Sequence, residues 1–216
     1  MKSNEPKHDV KQKILETAER LFKDLGYKRT TFRMIADEVG IATATISYHF
    51  KNKNRLLYEI YSNFFELVSN YVRANLTEGF NYYLFYSIVY IHVYREIMKR
   101  ESNWQLFYHK GQIEIWEEDK AYYFQERYRL ISDDFRKDLT DDEINMAAIM
   151  DVGAKRSIFK EFTSGESNLT VDKCCYYHAY VLGEFSKLDE ATIEKNIARA
   201  FDFVNSHELP TIFLLE

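Results

Sequence analysis

Thr30, Thr31, Arg33, Thr43, Thr45, Ser47, Tyr48, His49, Lys51 and Lys53 gather hydroxyls, a phenol, an imidazole and cationic groups into one short stretch. Such side chains donate to phosphate oxygens, and the shorter ones also reach base edges. Ala44, in their midst, offers a methyl group that could meet a thymine methyl. The chemistry is recognition of a polyanion by hydrogen bonds and charge. No nucleophile–base pair, Gly-rich phosphate loop or His-Glu-x-x-His metal motif occurs anywhere in the chain. Neither enzyme activity, a cofactor nor a metal is therefore expected.

The apolar spacing says which elements must carry these groups. Ile35, Val39, Ile41 and Ile46 fall where two crossing helices share a buried seam. Ala36 lets the second helix come close to the middle of the first, and Gly40 stands where a left-handed residue ends a helix. Thr30 or Thr31 can cap the first helix of the pair and Thr43 the second. The pattern predicts a helix-turn-helix, whose bland alternative is an αα-corner that touches no DNA.

Composition sets the surroundings. The chain has 216 residues and a net charge of −5, with only two prolines and seven glycines. An all-α protein is expected. Residues 1–60 carry twelve Lys/Arg against eight Asp/Glu, and the remainder seventeen against twenty-six. A basic head on an acidic body suggests that the head alone meets polyanion. The charged N-terminus lacks the apolar core of a signal peptide, and the apolar run at 80–94 is too short to cross a bilayer. A cytoplasmic location is expected, in keeping with two adjacent cysteines that suggest no disulfide framework.

Along the chain, 1–8 reads as a disordered basic arm and 9–25 as a first helix with Ile14, Ala18, Leu21, Phe22 and Leu25 on one face. Asn52 can cap a fourth helix whose stripe runs Leu56, Ile60, Phe64, Leu67, Val68, Tyr71. That helix is long enough to leave the head, and a rigid link would let a change in the body move the head. Further helices are expected near 80–99, 102–110, 113–137, 140–162, 170–184 and 190–206, with Thr140 and Glu143 forming a capping box. The expected architecture is a DNA-binding domain over 1–52 and a helical regulatory domain over 53–216, with nine or ten helices in all.

Residues 11–57 resemble the DNA-binding head of tetracycline-repressor (TetR) family transcription regulators. The likeness lies in Leu21, Phe22, Gly26 and Tyr27, in Thr30-Thr31, Ile35-Ala36 and Gly40, and in the run Thr45-Ile46-Ser47-Tyr48-His49-Phe50. It continues through Lys51-Asn52-Lys53 to Leu56-Leu57. The resemblance implies a homodimer that places two third helices in the major grooves of a palindromic operator. It also implies a repressor released when a small molecule binds the body. By this likeness Thr30 and Thr31 hold a phosphate at the start of helix two, while Thr43, Ala44, Thr45 and Ser47 face base edges. Tyr48, His49 and above all Lys53 contact phosphates, with Arg33 and Lys51 as additions. Three positions depart from the family pattern: Ala42 replaces a capping Ser, Ala44 a Gly, and Ser47 a Tyr that often contacts DNA.

The body carries most of the seventeen Tyr and sixteen Phe. Tyr90, Tyr94, Trp104, Phe107, Tyr108, Trp116 and Tyr123 are candidates to line a site for an aromatic or cationic effector. The alternative for each is core or dimer interface. Cys174, Cys175 and His178 invite a metal reading, but adjacent helical cysteines point about 100° apart and buried thiols are the better expectation. The helices at 140–162 and 190–206 are expected to form the dimer contact, together with the apolar tail Ile212-Phe213-Leu214-Leu215. Two other functions compete with the regulator: a helical carrier or enzyme with a non-functional head, and a module whose head binds a protein.

Overall fold

The computed structural model describes residues 7–100, 103, 104, 107 and 120–209, without the side chains of 7, 8 and 120–123. Among the described residues there are nine helices and no strand. They are α1 (Lys7–Leu25), α2 (Phe32–Val39), α3 (Thr43–His49), α4 (Lys53–Asn75), α5 (Tyr82–Met98), α6 (Lys120–Phe135), α7 (Asp141–Ser164), α8 (Val171–Phe185) and α9 (Glu190–Ser206). The expectations for 1–6, most of 102–110 and the tail from 210 lie outside the described residues, as do Tyr108 and Trp116. Two compact units divide within α4, between Phe64 and Phe65.

In the first unit, Ile14, Ala18, Leu21 and Phe22 of α1 are buried with Ile35 and Ala36 of α2, Ile46 of α3, Phe50, and Leu56 and Leu57 of α4. Thr31 caps α2 by accepting from the Met34 N–H at 3.3 Å. Gly40 ends α2 with φ 77°, where any other side chain is strained, and its N–H reaches the Ala36 carbonyl at 2.9 Å. The cap of α3 is Ala42, which has no side-chain hydrogen bond; Thr43 is the first helical residue rather than the cap. Asn52 caps α4 by accepting from the Arg55 N–H at 2.8 Å.

The second unit is organised on α5. Thirteen of its seventeen residues are buried, so it is apolar on every side and must lie inside its neighbours. Helices α6, α8 and α9 pack against it, and α7 packs on α6 and α8. Gly183 of α8 is required by this closeness: a Cβ there would meet Ile193 Cγ1 at 2.6 Å and the Tyr83 hydroxyl at 2.9 Å. The expected capping box at Thr140 and Glu143 forms, and Gly165 ends α7 in the left-handed region.

Exposed apolar side chains sort the two helices expected at a dimer contact. Met146, Ile149 and Met150 of α7 lie open to solvent at 49, 57 and 44%, beside Tyr177 of α8 at 45%. On α9 the exposed residues are Glu190, Ala191, Glu194, Lys195, Ala198, Asp202, Asn205 and Ser206, none of them a large apolar side chain. Among the described residues of these two helices, the exposed large apolar side chains therefore lie on α7, beside Tyr177 of α8.

Candidate nucleic-acid interface and body cluster

Ile46 and Phe50 bury one side of α3, and the helical period turns the rest outward. Thr43, Ala44 and Ser47 are exposed, Thr45 and His49 are half-exposed, and Tyr48 reaches 74% exposure. A tyrosine so open leaves most of its ring in solvent and contributes little to the core of the unit. Its ring meets His49 edge-on at 5.3 Å between centroids. Ser47 makes a long contact from its hydroxyl to the Thr43 carbonyl at 3.4 Å. Thr31, Arg33 and Lys51 are exposed as well. Arg33 pairs loosely with Asp37 one turn on, at 3.8 Å, with both side chains mostly in solvent. Such a pair contributes little and yields to a phosphate.

Two residues expected at the phosphate turn inward instead. Thr30 is fully buried, and its hydroxyl bonds to the Leu21 carbonyl at 2.9 Å and lies 3.1 Å from that of Gly26. Its side chain therefore ties the α1–α2 loop to α1 and offers nothing to a ligand. Lys53 is half-buried; its ammonium donates to the carbonyls of Tyr27 at 2.6 Å and Thr30 at 2.8 Å. It also lies 4.3 Å from the centre of the Tyr27 ring. Tyr27 in turn donates its hydroxyl to Asn54 of α4 and packs on Phe22 at 5.1 Å. This Tyr27–Lys53–Asn54 tie, which orients the loop leading into α2, was not visible as a unit in the sequence. A lysine and an asparagine at a helix start read as solvent-facing residues.

In the body, Tyr90, Tyr94 and Phe107 come together: the two tyrosines stack at 5.8 Å and 17°, and Phe107 meets Tyr94 edge-on at 6.3 Å. All three are buried, whereas Trp104 is half-exposed. Tyr123 belongs to α6, but its side chain is among those not described. Charged groups that the sequence does not single out stand beside these rings. Asp151 and Lys155, one turn apart on α7, form a buried ion pair at 2.8 Å. Lys155 also lies 4.0 Å from the Tyr90 ring centre. The Arg127 guanidinium of α6 stands 4.9, 4.8 and 4.6 Å from the rings of Tyr86, Tyr90 and Phe124. His178 of α8 lies 4.4 Å from Tyr94, with Nε2 3.2 Å from the Lys155 carbonyl.

Burial dominates the protonation chemistry of this cluster. It pulls Lys155 down to about 8, against the pull of Asp151 in the other direction. It pushes His178 down to about 3, helped by the nearby Lys155 charge. Tyr128 is held well above the ordinary phenol range by burial and then by Asp151. Tyr128 faces that carboxylate, yet neither its hydroxyl nor Asp151 Oδ1 closes a hydrogen bond of good geometry. Cys174 and Cys175 are buried thiols that burial makes harder to ionise, Cys174 rising to about 11. Among the described residues no three His, Cys, Asp or Glu groups are placed to hold a metal.

Comparison with known proteins agrees with this geometry. Residues 14–60 match the family described as bacterial regulatory proteins, tetR family. The HTH-type transcriptional repressor KstR2 of Mycolicibacterium smegmatis is 36% identical over 56 residues, 26% of this chain and 27% of that protein. The probable HTH-type transcriptional regulator YttP of Bacillus subtilis is 40% identical over 60 residues, 28% of this chain and 29% of that one. The chain thus matches little more than a quarter of the length of these curated relatives. Over most of both chains it shares its fold with RolR in complex with resorcinol, at TM-score 0.62, 14% identity and 89 and 95% coverage. The same holds for tylp, a tetr regulator from Streptomyces fradiae, at TM-score 0.51, 14% identity and 92 and 98% coverage. Over residues 14–60 the head is thus similar to that of the tetR family of bacterial regulatory proteins, and the all-helical fold is shared with RolR.

Proposed function

We propose that this protein is a sequence-specific DNA-binding transcriptional regulator, acting as a homodimeric repressor released from a palindromic operator by a small-molecule effector. The observation that carries the reading is the outward face of α3, where Ala44, Ser47 and Tyr48 stand open around a fully buried Ile46. A third helix held so firmly on one side and so bare on the other suits insertion in a major groove. Thr43, Ala44, Thr45 and Ser47 face base edges in this reading, while Thr31, Arg33, Tyr48, His49 and Lys51 meet phosphates. Lys53 and Thr30 act as positioning residues for the loop into α2.

The head is assigned to residues 1–52 and the effector and dimer functions to 53–216. The dimer contact is placed on α7 and α8, where Met146, Ile149, Met150 and Tyr177 are exposed. The effector is assigned to the buried aromatic and charged cluster around Tyr90 and Tyr94. This is a regulator rather than an enzyme, working on cytoplasmic DNA; no described helix is long and apolar enough to cross a membrane.

Selection of bound duplexes from a random DNA pool tests the reading. A two-fold motif with half-sites about one helical turn apart is expected, bound with a steep dependence on salt because phosphate contacts release counterions. Weak binding without an enriched motif would overturn it.

A further inference from the structure

Buried polar atoms in folded proteins nearly all have a partner, so several without one in the same place mark a missing group. Among the described residues, Arg127 Nε and Nη1, the Tyr90 and Tyr128 hydroxyls, Asp151 Oδ1 and His178 Nδ1 are all shut off from solvent without a hydrogen bond. They belong to one cluster. Lys155 links Asp151 to the Tyr90 ring, Arg127 faces that same ring, Tyr128 faces Asp151, and His178 reaches the Lys155 carbonyl.

Among the described residues of the cluster the charges do not balance. Asp151 neutralises Lys155 at 2.8 Å, which leaves the Arg127 guanidinium in excess. A guanidinium stays charged at any pH at which the protein folds, and aromatic faces compensate only part of its lost hydration. Most of the unpartnered atoms are also donors: the Arg127 N–H groups and the two phenols. Water could satisfy a hydroxyl but not the charge. An organic cation, which the ring count alone suggests, would add a third positive centre.

We propose that the effector is an organic monoanion, a carboxylate on an aromatic or apolar body. Its oxygens accept from Arg127 and from the Tyr90 and Tyr128 hydroxyls, and its body lies against the Tyr86, Tyr90 and Phe124 rings. This rests on the proposed ligand-responsive reading and narrows it to a chemical class. A carboxylate is the group that supplies both the missing charge and acceptors for several donors at once.

Thermal unfolding and titration calorimetry of the whole chain with benzoate, salicylate and phenylacetate test it, beside benzamide, benzylammonium and chloride. At least one acid is expected to raise the wild-type Tm by about 5 °C at concentrations near 100 times its Kd. The amide, the ammonium and chloride should not. Arg127→Met should abolish the shift and, without ligand, melt no lower than wild type, since it removes an uncompensated buried cation. If that variant does not fold, Arg127→Gln carries the same test, while Arg127→Lys should retain part of the response. The inference falls if none of the acids acts on wild type, if the neutral or cationic probe acts instead, or if the acids act equally on the Arg127 variants. DNA binding is scored separately. Specific operator binding with no response to acids overturns this inference and leaves the DNA-binding reading standing; an Arg127-dependent acid response without DNA binding does the reverse.

Discussion

The Lys53 ammonium donates to the Tyr27 carbonyl at 2.6 Å while lying over the ring of the same residue at 4.3 Å. One cation therefore holds both the backbone and the side chain of the residue that follows Gly26, and its second bond, to Thr30, pins the other end of the loop. Lys53→Met should cost about 1.5–3 kcal/mol of head stability, the usual range for hydrogen bonds to a charged group. DNA affinity should drop on all sequences because the start of α2 loosens. A lysine that simply contacts phosphate would reduce the salt slope by about 1 and leave the melting curve unchanged. Chemical denaturation and salt-dependent DNA titration on the same variant separate the two.

Tyr48 is expected to show the opposite pattern. At 74% exposure its ring adds almost nothing to folding, so Tyr48→Ala should shift Tm by less than a degree or two and weaken binding to every duplex. Thr45→Ala and Ser47→Ala should instead change which duplexes are preferred, each by about 1–3 kcal/mol at one base pair. Binding-site selection with each variant measures this. Equal losses on all sequences would remove Thr45 and Ser47 from base reading.

What was legible in the sequence was local. Gly40, Asn52, Thr140 with Glu143, and Gly165 act through their own backbone geometry or through neighbours a few residues away, and each sits where its residue type predicts. The cap of α3 falls one residue before the expected Thr43, at Ala42, which has no side-chain acceptor. The inward bonds of Thr30 and Lys53 were hidden because their partners, Leu21 and Tyr27, come from other elements. A hydroxyl or an ammonium has the same local signature whether it faces solvent or a carbonyl across a loop. The body cluster was hidden for the same reason. Tyr90 and Tyr94 share a helix face and could be paired, but Arg127, Asp151 and His178 arrive from α6, α7 and α8. One clue was available: Asp151 and Lys155 lie one turn apart in line with Ala147, Ala148 and Phe159, a charged pair inside an apolar stripe.

The face of Met146, Ile149, Met150 and Tyr177 should assemble two copies. Ile149→Asp sets a charge into its most exposed apolar position, at 57%, and should turn a dimer into a monomer without lowering Tm measured on the monomer. Two linked heads gain about 10²-fold or more in affinity over one. Operator binding should therefore weaken at least that much, while a single half-site is bound as before. Sedimentation velocity gives the first result. A wild-type chain that sediments as a monomer would remove the dimer from the proposal.

Stability should fall as the solution is acidified below pH 6.5, and two histidines should account for part of the fall. Burial holds His92 down to about 4, with Arg95 and then His207 adding repulsion. Burial likewise holds His178 down to about 3, with Lys155 adding to it and the bond to the Lys155 carbonyl partly opposing it. Each folded value lies below that of the unfolded chain, so below pH 6.5 the unfolded state takes up the proton first and is favoured. The stability is complete above pH 6.5 and is lost progressively until the pH reaches the folded values. Between pH 6.5 and 4.5 this amounts to on the order of 2 kcal/mol for each histidine. His178→Phe keeps a ring against Tyr94 and removes one titration, so its Tm should depend less steeply on pH over that interval, even if its Tm at pH 7 is lower. An unchanged slope in the His178 variant would show that this imidazole accepts a proton in the folded protein as readily as in the unfolded chain.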